Sequence, residues 1–201
     1  MGRFVRALGA MAAVTVMVVL AAGLANATVV INITQAGPNV DVTATGSLDL
    51  TGATFDHEQA YSTGIIPGGD NWYIALGTTP GMDWYQLTSV DLPFGTDTTY
   101  FTSSLTTGDA FSIWGESGGT PLVGLTTGYI SGTPISADMM FPGLTIADMT
   151  LIPGTYTFRI PNDTIILNIG GVTTPEPSAL AMMLNGLAVV GFAGYRRFRK
   201  G

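Results

Sequence analysis

Apolar and polar side chains alternate with a period of two in the middle of this chain. The pattern is clearest in segments 40–45, 135–141 and 155–160. Successive side chains of a strand point to opposite faces, so this period puts one face on a core and leaves the other in water. The alternation therefore predicts antiparallel β-strands, and it constrains the fold more than any other feature of the sequence.

The composition of residues 28–174 supports the same prediction. This segment holds 27 Thr, 20 Gly and 9 Pro, but only two Glu, three Gln, one Arg and no Lys. Threonine is β-branched and favours strands, whereas glycine and proline are typical of turns. We therefore predict an all-β fold over residues 28–170, an antiparallel β-sandwich of about eight to ten strands.

Turn signals between alternating runs predict two hairpins. One joins 72–77 to 82–87, and the other joins 154–160 to 164–169. The parity of Leu48 and Leu50 predicts that the strand at 40–45 continues beyond Gly46 with a kink. The two long connections, which are rich in Gly, Thr, Ser and Asp, are expected to be surface loops or short strands; they are residues 52–70 and 88–109.

The first 27 residues have the organisation of a secretory signal peptide. Arg3 and Arg6 precede an uncharged apolar stretch, 7–24, and Ala25-Asn26-Ala27 then matches the small-x-small pattern of a cleavage site. We predict cleavage after Ala27, with an uncleaved membrane anchor as the alternative. In either case the body of the protein leaves the cytoplasm.

The C-terminus has three parts in a fixed order. Pro175-Glu176-Pro177 is stiff and extended, the next 18 residues, 178–195, carry no charge, and five mostly basic residues follow. As a helix the uncharged stretch would span ~27 Å, enough for a bilayer core. We predict a linker, a transmembrane helix and a basic cytoplasmic tail, at 171–177, 178–195 and 196–201.

This C-terminal arrangement resembles the PEP-CTERM sorting signal of exported bacterial proteins. The matching residues are Pro175, Glu176 and Pro177, the apolar span, and the basic residues Arg196, Arg197, Arg199 and Lys200. The resemblance implies recognition by the export machinery and by an exosortase, transient anchoring in the inner membrane, and a host that makes exopolysaccharide. The alternative is an ordinary tail anchor.

Three segments of the body are similar to extracellular domains that often precede this signal. They are residues 46–52, 128–133 and 153–158. The resemblance implies a family of exported domains, but it implies no particular activity.

Charge and cysteine content exclude several classes of function. Residues 28–174 hold 13 acids and one base, a formal charge of −12. A nucleic-acid-binding protein needs a basic face, so we expect no nucleic-acid partner. The chain contains no Cys, which excludes disulfides, thiolate metal sites and a cysteine nucleophile.

The segment Gly115-Glu116-Ser117-Gly118-Gly119 satisfies G-x-S-x-G, the pattern around a catalytic serine. The chain has one His, His57, and its spacing from Ser117 does not suit the two barrels of trypsin-like proteases. Gly118-Gly119-Thr120-Pro121 prevents the helix that a hydrolase elbow requires. We predict a hairpin turn after the strand 111–114 and no catalytic residue, with a secreted hydrolase as the weaker alternative.

Two other groups of residues suggest ligands. Asp56-His57-Glu58, together with Asp70 and Asn71, could hold calcium, but no EF-hand spacing is present and a solvated loop is favoured. We therefore predict no cofactor and no resident metal, and calcium binding stays an open alternative. The triplets beginning at Asn32 and Asn162 match the N-glycosylation signal.

Paired aromatic residues on the first predicted hairpin suggest a glycan site. Adjacent strand residues face opposite sides, so one aromatic of each pair should be buried, and the other could be exposed to stack on sugars; the pairs are Trp72-Tyr73 and Trp84-Tyr85. The alternative is that all four pack in the core.

These observations together predict an exported, non-enzymatic protein of the cell surface or extracellular matrix with a structural or adhesive role. The alternative is a module that binds exopolysaccharide.

Overall fold

The computed structural model describes residues 28–78 and 81–171. Every regular element in these ranges is a β-strand and none is a helix, which confirms the all-β prediction for the body. No helix that could cross a membrane is found in the described ranges. The predicted signal helix and transmembrane helix, in 1–27 and at 178–195, lie outside them.

Fourteen strands lie in the described residues, more than the eight to ten expected. The additional strands are short, and they come from the connections 52–70 and 88–109. In chain order the strands are β1 (Thr28–Ala36), β2 (Asn39–Gly46), β3 (Phe55–Glu58), β4 (Gly64–Ile66), β5 (Asn71–Leu76), β6 (Met82–Gln86), β7 (Ser89–Val90), β8 (Phe101–Thr102), β9 (Leu105–Gly108), β10 (Phe111–Glu116), β11 (Leu122–Thr126), β12 (Ile135–Pro142), β13 (Gly154–Ile160) and β14 (Asp163–Ile169).

The strands form two seven-stranded sheets. The first sheet has the order β7-β13-β14-β1-β2-β12-β9, and the second has the order β3-β6-β11-β10-β5-β4-β8. Among these strands the pairs are antiparallel apart from β1 and β14, which run parallel at the centre of the first sheet. The body is therefore all-β with two mostly antiparallel sheets.

The first sheet shows the predicted alternation. In β2 the side chains of Val40, Val42 and Ala44 are buried, whereas Asp41 and Thr43 between them are partly exposed. Strands β1 and β12 follow the same pattern. One face of this sheet therefore lies on the core, and its outer face is polar.

The inner faces of both sheets contribute to one hydrophobic core. Ile31 and Phe158 from the first sheet belong to it, as do Trp72, Ile74 and Phe111 from the second. The ring centroids of Trp72 and Phe158 lie 5.7 Å apart. Burying each large apolar side chain contributes roughly 1.5–3 kcal/mol, so this core dominates the stability of the body.

The predicted pairing of 72–77 with 82–87 is wrong. Both segments are strands of the second sheet, β5 and β6, but β10 and β11 lie between them. Five of the six residues of β5 are buried, because the main core covers one face and a second apolar cluster lies on the other; a run buried on both faces does not indicate which strand lies beside it. The other predicted hairpin, formed by β13 and β14, is confirmed, and so is the hairpin that follows 111–114.

Strand β2 ends at Gly46 and does not continue through Leu48 as predicted. Gly46 has a φ of 131°, and a Cβ built there would lie 2.0 Å from the carbonyl oxygen of Thr28. The backbone of β1 passes so close that only glycine fits. Beyond this point the chain leaves the sheet, and the carbonyl of Leu48 accepts a hydrogen bond of 2.8 Å from the N–H of Gly132.

Candidate functional site

The outer face of the second sheet is apolar, unlike that of the first. It carries a hydrophobic cluster separate from the main core, formed by Tyr73, Ala75, Met82, Trp84, Ala110 and Leu122. Trp84 is completely buried in this cluster, and Tyr73 is 5% exposed. The solvent side of an antiparallel sheet is usually polar, so burial on this scale requires a cover.

Residues 59–63, between β3 and β4, cover the cluster, and we call this segment the strap. Nε1 of Trp84 donates a hydrogen bond of 2.9 Å to the carbonyl oxygen of Gln59. The phenol of Tyr100 donates one of 2.7 Å to the carbonyl oxygen of Thr63. Aromatic side chains therefore hold the backbone of the strap near both of its ends.

Tyr61, in the middle of the strap, packs its ring onto the cluster. Its centroid lies 4.8 Å from that of Trp84 in an edge-to-face arrangement, 6.0 Å from Tyr73 and 6.1 Å from Trp114. Ring pairs of this kind contribute roughly 0.5–1.5 kcal/mol beyond the burial of their area. Tyr61 and Trp114 remain partly exposed, so both rings are accessible from solvent.

A pocket of about 250 Å³ lies beside Tyr61 on this face. This volume is close to the lower end of the range for small-molecule sites, roughly 300 Å³. Four of the seven lining side chains are aromatic and none is charged; the lining consists of Tyr61, Ser62, Ile66, Asn71, Tyr73, Tyr100 and Trp114.

Asn71 supplies polar groups at the pocket. Its Oδ1 accepts a hydrogen bond of 2.9 Å from Nε1 of Trp114, which orients both the amide and the indole ring. The two N–H donors on Nδ2 have no partner among the described residues. Free amide donors beside exposed rings can bind the hydroxyl groups of a ligand whose apolar face stacks on those rings.

The phenols of the pocket stay protonated at neutral pH. Burial raises the pKa of Tyr73 and that of Tyr100. Burial also raises the pKa of Tyr61, and the negative charge of Glu116 raises it further. Each phenol therefore remains an uncharged hydrogen-bonding group across the physiological pH range.

Comparisons with known proteins do not assign the chain to a family. No family model, curated protein or solved structure matches it. Evidence for its function therefore comes from the site itself, since a fold alone does not imply an activity.

The four aromatic residues predicted as a glycan site face in two directions. Trp72 and Tyr85 point to the main core, where Trp72 is only 5% exposed. Tyr73 and Trp84 face the outer cluster, but Trp84 lies beneath Tyr61 and has no exposed surface. Of the four, only Tyr73 lines the pocket.

Three of the pocket's aromatic residues were not predicted, namely Tyr61, Tyr100 and Trp114. The alternation along β10 could have placed Trp114 on the outer face, because Phe111 and Ile113 have the opposite parity. Nothing in the local sequence indicates that the strap crosses the sheet, since this depends on the contacts of Tyr61 with distant strands.

The structure does not join His57 and Ser117, the residues of the hydrolase alternative. Nδ1 of His57 lies 2.7 Å from Oδ2 of Asp56, and its ring stacks on Trp84 at 6.0 Å. Ser117 follows β10 in a turn, where its N–H donates to the carbonyl oxygen of Asp70 at 2.6 Å. No hydrogen bond links His57 to Ser117 in the described part of the chain.

Three of the residues considered for calcium, Asp56, Glu58 and Asn71, bond to three different side chains. Oδ1 of Asp56 accepts a hydrogen bond of 3.0 Å from Gln86, and Oε1 of Glu58 accepts one of 3.5 Å from Thr127. The side chain of Asn71 pairs with Trp114, as described above. Within the described ranges no three His, Cys, Asp or Glu side chains form a group that could hold a metal ion.

The two glycosylation triplets lie in different settings. Asn32 is in the central strand β1, where its Oδ1 accepts a hydrogen bond of 3.0 Å from Asn168. Asn162 is exposed in the turn before β14, and its amide donates to the carbonyl oxygen of Thr51 at 2.9 Å. The cleavage residues Ala25 and Ala27 lie outside the described residues, as does the whole sorting signal.

Proposed function

We propose that this chain is an exported, non-enzymatic protein of the cell surface or extracellular matrix, and that its β-sandwich body binds carbohydrate. The observation that supports carbohydrate binding is the pocket on the outer face of the second sheet. Three partly exposed rings, those of Tyr61, Tyr100 and Trp114, line it together with Asn71, whose Nδ2 donors have no partner among the described residues. Sugar rings have apolar faces and a rim of hydroxyl groups, and the pocket offers a counterpart to each.

Nucleic acid is a poorer candidate for the same pocket. Aromatic platforms that bind single strands are combined with a basic groove that follows the phosphates. The seven lining residues include no base, and residues 28–174 contain a single Arg. This charge distribution favours a ligand without phosphates.

The export proposal is supported by the sequence of the two ends. A signal-peptide pattern precedes the body, and the Pro-Glu-Pro motif, apolar span and basic tail follow it. In this proposal the C-terminal helix anchors the protein transiently in the inner membrane, an exosortase processes it, and the body reaches the surface or matrix.

The sorting proposal can be tested by replacing Pro175, Glu176 and Pro177 with Ala in the native host. We expect the variant to accumulate in the inner membrane, whereas the unaltered protein reaches the surface or the medium. Cell fractionation and mass spectrometry of the purified protein would report both location and cleavage sites. Unchanged location and processing would contradict the proposal.

Carbohydrate binding can be tested through tryptophan fluorescence and calorimetry of the full chain. The chain has three Trp, and of these Trp72 and Trp84 are buried, so a ligand in the pocket should mainly change the emission of Trp114. Titration with neutral β-1,4-linked hexaoses of mannose or glucose is expected to saturate.

The matched variants are Trp114→Ala in the pocket and Phe55→Ala outside it. Phe55 is an exposed ring, 53% accessible, on the edge strand β3, and it does not line the pocket. We expect Trp114→Ala to raise Kd by about tenfold or more, as removal of a central aromatic anchor usually does. Equal affinity of the two variants would contradict the assignment of this pocket.

A further inference from the structure

We infer that the pocket selects uncharged stretches of polysaccharide and rejects chains that carry carboxylates. This inference rests on the proposed carbohydrate binding and names the class of sugar that the same site accepts. It is drawn from three features: the uncharged lining, the position of the basic residues, and the acid beside Trp114.

The lining offers rings and hydrogen bonds but no charge. Nδ2 of Asn71 can donate to hydroxyl groups, and the exposed faces of Tyr61, Tyr100 and Trp114 can contact the apolar face of a sugar ring. Such contacts suit a neutral hexose unit. A carboxylate on that unit would lose water on binding and would need a compensating partner.

The described part of the chain does not supply a cationic partner at this place. It contains no Lys and one Arg, Arg159, which lies on β13 of the first sheet, whereas the pocket is on the outer face of the second. The other basic side chain there is His57, and its Nδ1 is already paired with Asp56 at 2.7 Å. A bound carboxylate would therefore have no cationic partner among the described residues.

The charge that does act at the pocket is negative. Glu116 follows Trp114 by two residues on β10, so the two side chains share a face, and it lies opposite Asn71 in the register with β5. Its carboxylate is close enough to act on the phenol of Tyr61, whose pKa it helps to raise. A second carboxylate, brought by the ligand, would be repelled.

The test compares two sugars that differ only at C6. The full chain, in a polyoxyethylene detergent that carries no sugar, is titrated with β-1,4-mannohexaose and with β-1,4-mannuronate hexamer; cellohexaose and its C6-oxidised form provide a second pair. At an ionic strength of about 0.01 M we expect at least one neutral hexaose to bind at least tenfold more tightly than its acidic counterpart. This difference in Kd should be smaller at about 0.1 M salt, because the Debye length is roughly 30 Å at 0.01 M and roughly 10 Å at 0.1 M.

Two charge-removing variants localise the effect. Glu116→Gln removes the acid beside the pocket, and Asp138→Asn removes an exposed acid from β12 of the other sheet. We expect Glu116→Gln to reduce the difference in Kd between neutral and acidic hexamers at low salt. We expect Asp138→Asn to leave that difference unchanged. Equal narrowing by both variants, or none by Glu116→Gln, would overturn the role of this carboxylate.

The outcomes separate this inference from the function on which it rests. Neutral and acidic hexamers that bind equally well, or acidic ones that bind better, would overturn charge selection and leave carbohydrate binding intact. Absence of binding by all four sugars would overturn both. Binding of choline at the pocket without binding of either neutral hexaose would also overturn both, because it would identify a cation–π cage for amines.

Discussion

Asp163 shows how one buried side chain can join two parts of this fold. Oδ2 accepts a hydrogen bond of 2.7 Å from the N–H of Asp49, and Oδ1 accepts one of 2.7 Å from the N–H of Thr164. The residue is only 7% exposed. Burial raises its pKa, while the two hydrogen bonds act in the opposite direction.

Asp163 should make the stability of the body depend on pH in a specific direction. Because its pKa is raised above its ordinary value of 3.8, the folded state binds more protons than the unfolded state between 3.8 and the raised value. The stability contributed by this residue therefore falls as pH rises through that window. Urea unfolding at several pH values would measure how much larger the free energy of unfolding of the wild type is than that of Asp163→Asn. This advantage of the wild type should be greatest below the window. An advantage that grows with pH would contradict this prediction.

Tyr129 should stabilise the body through its hydroxyl group. The oxygen accepts a hydrogen bond of 2.9 Å from the N–H of Leu48 and donates one of 2.6 Å to the carbonyl of Thr133. Tyr129→Phe removes both hydrogen bonds and leaves the N–H of the buried Leu48 unpaired, so we expect a loss of about 1–3 kcal/mol in urea unfolding. The control is Tyr156→Phe, which removes a single exposed hydrogen bond to Ile152 and should cost less. Equal losses would show that Tyr129 does not hold Leu48 and Thr133 together.

At the scale of the element, the two sheets differ in how much their sequence reveals. The strands of the first sheet have one solvent-exposed face, so the alternation of apolar and polar residues predicted β2 and β12. Strand β5 is buried on both faces, and such a run does not reveal which strands lie beside it. The pairing of β5 with β10 and β4 depends on residues far away in the chain, and local turn signals could not predict it.

Gly46, at the end of β2, should be much harder to replace than Gly37, which follows β1. A Cβ at Gly46 would overlap the carbonyl oxygen of Thr28, whereas Gly37, which also has a positive φ of 60°, has open space around it. We expect Gly37→Ala to cost roughly 1–2 kcal/mol through its φ alone and Gly46→Ala to cost clearly more. Thermal unfolding of both variants would measure the difference. Equal costs would mean that β1 can move away without penalty.

At the scale of the whole molecule, the first and last strands of the body are neighbours. Thr28 pairs with Thr164, and Ile33 pairs with Ile169, in the parallel pair β1–β14. Two strands that are far apart in sequence are therefore hydrogen-bonded neighbours in the middle of the first sheet. This pair can form only when the first and last strands of the body are both in place. We therefore expect the body to unfold in a single cooperative transition.

Removal of β1 should therefore unfold the entire body. A chain that begins at Thr28 is expected to keep the near-ultraviolet circular dichroism of the packed Trp72 and to unfold in one transition. A chain that begins at Gly37 lacks the strand between β14 and β2, and we expect it to lose that signal. A native spectrum for the shorter chain would show that the two halves of the first sheet are stable separately.

The sequence by itself determined the all-β class, the polar and buried faces of the first sheet, and the hairpin of β13 and β14, because these follow from local periodicity and turn residues. The proposal of export also rests on the sequence alone, since it is based on the charge, the hydropathy and the order of segments at the two ends. Tertiary structure alone decided the order of the second sheet and the position of the pocket. The rings of Tyr61, Tyr100 and Trp114 come from three separate segments, and only long-range packing on Trp84 and Tyr73 brings them to one face.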